Sequence, residues 1–167
     1  MEVDGKGALM PSRSVENLVA RWFSQRIGAD KCVRKKGKFK GWDLKFSREG
    51  RRLRTVEVKC DWHSAKSGNM AFEIWNTRQN EPSGLTATTA DHWIHVLPGE
   101  SKVCVYNPKT ILWWLNANFD SPWHNIRKME SVGDGNSTIY IVGKDVILSR
   151  DWVSTYDFLL APETEDG

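Results

Sequence analysis

Gly41-Trp42-Asp43-Leu44-Lys45-Phe46-Ser47 and Arg54-Thr55-Val56-Glu57-Val58-Lys59-Cys60-Asp61 decide the fold. Both stretches alternate apolar and polar residues with a period of two, the pattern of half-buried β-strands. In the first, Trp42, Leu44 and Phe46 share one face, and Asp43 and Lys45 share the other. In the second, Val56, Val58 and Cys60 turn inward, while Thr55, Glu57, Lys59 and Asp61 turn away. Arg48-Glu49-Gly50-Arg51-Arg52 supplies a turn between them, so the pair reads as a β-hairpin. Pairing centred on Gly50 sets Asp43 opposite Glu57, off the core face. Directly opposed β-carbons lie roughly 4.5–5.5 Å apart, and like charges at that range destabilise a sheet. No cation of the protein is expected between the two acids. A divalent cation, taking carboxylate oxygens and waters as magnesium does, removes the cost. Lys59 projects from the same face, where an ammonium can stabilise negative charge on a reacting phosphoryl group or orient the attacking water. The competing reading is a salt-bridged surface hairpin, with Lys45 and Lys59 neutralising the acids. Geometry alone leaves both readings open.

The short pattern acid-x-Lys carries little information by itself. It occurs as Asp4-Gly5-Lys6, Asp43-Leu44-Lys45, Glu57-Val58-Lys59 and Glu100-Ser101-Lys102. Only Glu57 sits inside a β-branched strand with another strand acid just upstream.

Upstream, Val15, Leu18, Val19, Trp22 and Phe23 recur at helical spacing. This predicts an amphipathic helix from Ser12 or Ser14 as N-cap to about Ile27, stopped by Gly28. Glu16 shares a face with Val19, Ala20 and Phe23. It either points inward toward the acids or is a first-turn acid favoured by the helix dipole. Downstream, strands are expected at Met70–Trp75, Trp93–Leu97, Val103–Tyr106 and Thr138–Val142. A helix from Pro108 to about Asn118 is expected, then a loop over 119–136 containing Gly133-Asp134-Gly135. The hairpin and the strand at Met70 read as a three-strand meander. Glu73, out of phase with Phe72 and Ile74, could extend the acidic face toward a second metal. The order predicts an α/β domain over 12–161 with a central mixed β-sheet flanked by helices, between a flexible tail at 1–11 and an acidic tail at 162–167.

Composition bounds the function. The 167 residues suit one domain, and nine tryptophans argue against disorder. No run is long and apolar enough for a membrane span and no apolar leader core is present, so a cytoplasmic location is expected. Cys32, Cys60 and Cys104 form no CxxC pair, which speaks against a disulfide framework or zinc ribbon. His92 and His95 would point to opposite faces of a strand, making them poor zinc co-ligands. Trp113 and Trp114 could stack on bases, although a small domain buries at least one of such a pair. Residues 1–66 carry a net charge of +9 and residues 67–167 a net of −6. A basic half suggests a polyanionic partner. Lys35, Lys36, Lys38 and Lys40 lead into the strand bearing Asp43, and Arg51 and Arg52 lie at the other end of the hairpin. All six are candidate phosphate contacts that would give affinity without sequence readout.

Trp42-Asp43-Leu44 and Val56-Glu57-Val58-Lys59 resemble the PD-(D/E)XK nuclease superfamily. Ser67-Gly68-Asn69, Pro82-Ser83-Gly84-Leu85 and Thr88-Thr89-Ala90-Asp91-His92-Trp93 look more narrowly like a group of phage-encoded small nucleases of that type. The likeness spans residues 12–117, with a fainter echo at 133–142. It implies a restriction-endonuclease-like core in which Asp43, Glu57 and the Val58 carbonyl bind Mg²⁺, with Mn²⁺ able to substitute. Lys59 would be the catalytic lysine. Related nucleases often add a first-helix acid, here Glu16. The proline of the family name is absent, because Trp42 precedes Asp43. The expectation is a metal-dependent deoxyribonuclease acting in the cytoplasm, the host's if phage-encoded, with DNA as partner and a homodimer possible. The alternatives are a structure-selective Holliday junction resolvase, or a catalytically silent module that binds nucleic acid or a host protein.

Overall fold

The computed structural model describes residues 12–36, 40–132 and 136–158. The two expected terminal tails, Lys38 and the Gly133-Asp134-Gly135 turn fall outside them. Helix α1 (Ser12–Ile27) forms where the apolar spacing demands it, with Val15, Val19 and Phe23 buried. Gly28 follows at φ +63°, the left-handed geometry that ends a helix. Ser14 lies inside the helix and does not cap it.

The basic stretch after α1 opens as a short strand, β1 (Lys31–Arg34), which the charge run conceals. Strands β2 (Leu44–Arg48) and β3 (Arg51–Cys60) make the expected hairpin. Its turn is Glu49-Gly50, with φ of +50° and +76°. Two left-handed central residues are what a tight hairpin turn requires. Near the turn Arg48 pairs with Arg51 and Ser47 with Arg52. A register shift between Phe46 and Ser47 then brings Phe46 opposite Arg54 and Leu44 opposite Val56. The expected register at the Asp43 end is met, through this irregularity and not through a turn centred on Gly50.

The chain continues as α2 (Ser64–Ser67), β4 (Asn69–Asn76), β5 (Glu81–Pro82), β6 (His92–Leu97), β7 (Lys102–Tyr106) and α3 (Pro108–Asn118). Then come β8 (Arg127–Val132), β9 (Ser137–Gly143), α4 (Lys144–Leu148) and β10 (Ser154–Asp157). Six strands form a mixed sheet in the order β1-β2-β3-β6-β7-β10, antiparallel throughout except for the parallel β3–β6 pair. The fold is α/β, a mixed sheet flanked by helices. Two expectations are corrected. Strand β4 does not extend the hairpin into a meander; it joins a separate four-stranded antiparallel sheet, β5-β4-β9-β8. The expected loop over 119–136 contains β8.

The large sheet is covered on both faces. Alternation along β6 sends Ile94 and Val96 into a core with Val15, Val19 and Phe23 of α1. Trp93 and Leu97 go into a second core with Met70 and Phe72 of β4, Tyr140 and Val142 of β9, and Ile111 and Leu115 of α3. In the parallel register Glu57 lies beside Trp93 and Lys59 beside His95. Glu57 and Lys59 therefore belong to the face turned from α1, with Lys59 Nζ 5.8 Å from the Trp93 ring centroid. In α3 the paired tryptophans divide, Trp113 exposed and Trp114 buried. Among the described residues no helix is long and apolar enough to cross a membrane.

Candidate active site

A cavity of ≈ 350 Å³ opens at the inner end of the hairpin, with Glu16, Lys35, Asp43, Glu57, Val58 and Lys59 among its walls. Asp43 just precedes β2, and two bonds fix it there. Its N–H donates to the Val56 carbonyl at 2.8 Å, and its Oδ2 accepts the Val58 N–H at 2.8 Å. These bonds straddle Glu57, so β3 carries one acid and clamps the other. Both are nearly out of water, at 4% and 7% exposure.

The expectation of no protein cation between the acids is corrected. Lys35 donates its N–H to the Asp43 carbonyl, and its Nζ lies 2.5 Å from Asp43 Oδ1. The residue read as a DNA contact is thus committed to the acid pair, because β1 delivers it to the strand bearing Asp43. Lys59 Nζ stands 3.9 Å from Glu57 Oε1 and stays partly exposed. Glu57 Oε2 is buried with no hydrogen-bond partner among the described residues. Burial first, and the Asp43 charge second, push the Glu57 carboxyl up to about 7; Lys59 and Lys35 pull it back only in part.

Glu16 belongs to this cavity, and the helix-dipole reading falls away because it lies beyond the first turn of α1. Its Oε2 meets Arg34 Nε at 3.1 Å, yet burial and the Asp43 charge still raise its pKa. Glu73 is a correction. It sits in the second sheet, its Oε1 accepting the Ser83 hydroxyl at 2.6 Å, and lines a different cavity of ≈ 200 Å³ with Lys59, Asp61, Trp93 and His95. The two cavities share Lys59 and Cys60.

The other basic residues divide. Lys36 and Arg51 are exposed. Lys40 Nζ lies 2.6 Å from Glu81 Oε1, and Arg52 Nη2 grips both oxygens of Asp91 at 3.0 and 2.8 Å. Acids distant in sequence, Glu81 of β5 and Asp91 ahead of β6, reach these two, which a local charge count does not reveal. The histidines face opposite ways, as the strand period requires. His92 packs on Phe23, while buried His95 places Nδ1 2.9 Å from the Tyr106 hydroxyl and Nε2 3.6 Å from Asp61 Oδ2. Asp61 also accepts backbone N–H groups of His63, Ser64 and Ala71. This network joins β3 to β6, β7 and the start of α2, and the sequence signals it only through the shared odd parity of residues 61 and 95.

No group of three or more His, Cys, Asp or Glu side chains poised to hold a metal occurs among the described residues. The acids of the cavity are Asp43, Glu57 and Glu16, and their carboxylate oxygens are hard donors of the kind magnesium prefers. The orphaned Glu57 Oε2 and the ammonium already drawn to Asp43 fit a place that attracts a cation. No family model, curated protein or solved structure matches this chain.

Proposed function

We propose that this chain is a metal-dependent deoxyribonuclease of the PD-(D/E)XK kind. The observation that carries the reading is Glu57: a buried carboxylate with one unpartnered oxygen, beside a second buried acid and a lysine, in an open cavity. Buried polar atoms are almost always satisfied, so an orphan beside a like charge points to a missing ligand. Asp43, Glu57 and the Val58 carbonyl would hold Mg²⁺ or Mn²⁺. Bound there, the ion supplies charge neutralisation and a water acidified enough to attack phosphorus.

The chain's own residues do the rest. The Val58 N–H holds the Asp43 carboxylate in one orientation. Glu57 loses its proton near neutral pH, so its donor strength rises through that range. Lys59, partly exposed and facing the same side as Glu57, can follow a phosphate oxygen and stabilise the charge that builds on it. Lys36 and Arg51 remain for backbone phosphates at either end of the hairpin.

The test is cleavage of supercoiled plasmid, linear duplex and single-stranded DNA with Mg²⁺, Mn²⁺ or EDTA. Cutting is expected with either metal and not in EDTA. Lys59→Ala should be slower by about 10²–10³-fold, the scale on which losing one charge-stabilising donor acts. Equal rates in Lys59→Ala would remove Lys59 from the chemistry. Intact DNA under every condition would overturn the nuclease reading and leave at most a binding module.

A further inference from the structure

The hairpin carries a third cavity, ≈ 360 Å³, lined by Trp42, Lys45, Arg52, Thr55 and Thr89. We propose that it seats a nucleotide flanking the scissile bond, with Lys45 and Arg52 on its phosphate and the Trp42 indole against its base. The proposal rests on the nuclease reading and adds to it a subsite for the substrate strand.

Its position follows from register. Lys45 pairs directly with Thr55, and Thr55 lies two residues before Glu57 on the same side of β3. Two residues of strand span about 7 Å. That is about two base steps at roughly 3.4 Å of rise per nucleotide along one strand. Trp42, the residue before Asp43, was expected on the inward face with Leu44 and Phe46. It is instead half-buried in the wall beside Lys45, so the chain that positions the acid also positions the indole.

The walls are fixed in advance. Asp91 takes Arg52 Nη2 on both oxygens, and its Oδ2 also accepts the Thr55 N–H at 2.7 Å and the Thr55 hydroxyl at 3.0 Å. Nη1 and Nε of Arg52 keep donors to offer. Thr89 donates its N–H at 2.8 Å and its hydroxyl at 3.2 Å to the Gly41 carbonyl, pinning the backbone next to Trp42. Lys45 is exposed and forms no ion pair among the described residues. An uncommitted ammonium, a guanidinium held at one end and an indole suit a phosphodiester with an adjoining base.

The experiment measures binding in EDTA, where nothing is cut, by fluorescence anisotropy of a labelled single-stranded oligonucleotide across a salt series. Lys45→Ala should lower the slope of log affinity against log salt by about 0.7, one phosphate contact on a single strand. Moving one abasic position along the oligonucleotide should cost the wild type affinity at one place. Trp42→Leu should erase that dip and Trp42→Phe should keep it. An unchanged slope in Lys45→Ala overturns the subsite even if Trp42→Leu fails to fold, because Lys45 is exposed. If the wild type shows the slope and the dip yet never cuts DNA, the nuclease reading falls and the subsite stands. If it cuts while Lys45→Ala binds with the wild-type slope, the subsite falls alone. Wild type that binds no DNA in EDTA sinks the subsite, and if it also cuts none with Mg²⁺ or Mn²⁺ the nuclease reading falls with it.

Discussion

Glu57 within β3 and Asp61 just past its end are both largely out of water, and their acidities move in opposite directions. For Asp61 burial is the largest influence and works to raise its pKa, but contact with His95 and the N–H groups of Ala71 and His63 outweigh it, and the net shift is downward. For Glu57 burial works the same way and the Asp43 charge adds to it, so the carboxyl rises to about 7. One acid has been given donors and the other has not. A carboxylate that serves the fold is surrounded by N–H groups. One kept for a ligand is buried, crowded by a like charge and left with an open oxygen.

The largest expected effect follows from that contrast. In the unfolded chain Glu57 titrates near 4.5; in the folded protein near 7. Between those values the folded state holds a proton that the unfolded state has lost. Stability therefore falls as pH rises through this window. The loss is absent below 4.5 and complete above 7, at about 3.5 kcal/mol for about 1.4 kcal/mol per pH unit. Glu57→Gln removes this slope. Urea denaturation at pH 5 and pH 8, without metal, should show the wild type losing about 2.5 kcal/mol relative to the variant. Parallel curves would mean that Glu57 is satisfied in solution, and the contrast with Asp61 would vanish.

Asp61→Asn should behave in the opposite sense. Its lowered pKa contributes stability that is present above 3.8 and is lost as pH falls through the folded value. Replacing the carboxylate weakens its bonds to three backbone N–H groups and to buried His95, costing about 1–3 kcal/mol at pH 7. That cost should shrink in acid, whereas the Glu57→Gln difference shrinks there because the wild type recovers. Chemical denaturation at pH 7 and pH 3.5 reads both. A neutral Asp61→Asn at pH 7 would show that the network adds nothing to folding.

The sequence made the hairpin, α1, β6, β7 and α3 legible because each carries its own period or cap. Asn107, for example, accepts the N–H groups of Lys109 and Thr110 ahead of Pro108. It could not assign partners to strands. Nothing in the alternation of Met70–Trp75 says that it pairs with Ser137–Gly143 and not with the hairpin. Strand β1 was hidden because Lys31-Cys32-Val33-Arg34 is short, basic and at a sheet edge, where no face must be wholly apolar. The acids and Lys59 were readable from their alternation. The role of Lys35 was not, since within the charge run it looks the same as Lys36. Only the fold separates a lysine on Asp43 from one in solvent.

Lys35 therefore supplies the smallest and most discriminating test. Its ammonium neutralises Asp43 while remaining about a third exposed, so solvent screens the pair and its contribution to stability is at most about 1 kcal/mol. Lys35→Met should lower stability by no more than that, because Asp43 keeps the Val58 N–H. The charge it removes also pulls the Glu57 pKa down, so without it the fall of wild-type-like stability with pH should move to higher pH. If Lys35 stands where a divalent ion competes for Asp43, the variant should gain more from Mn²⁺ than the wild type does. A ligand that binds only the folded state stabilises it by RT ln(1 + [L]/Kd), so the tighter the binding, the higher the melting temperature at a given concentration. Thermal melts across a Mn²⁺ series at pH 8 measure this, with Glu57→Gln as the background that responds least. A smaller Mn²⁺ response in Lys35→Met would mean that the lysine organises Asp43 for the ion. Asp43 and Asp61 would then be alike, each depending on protein donors to be held in place.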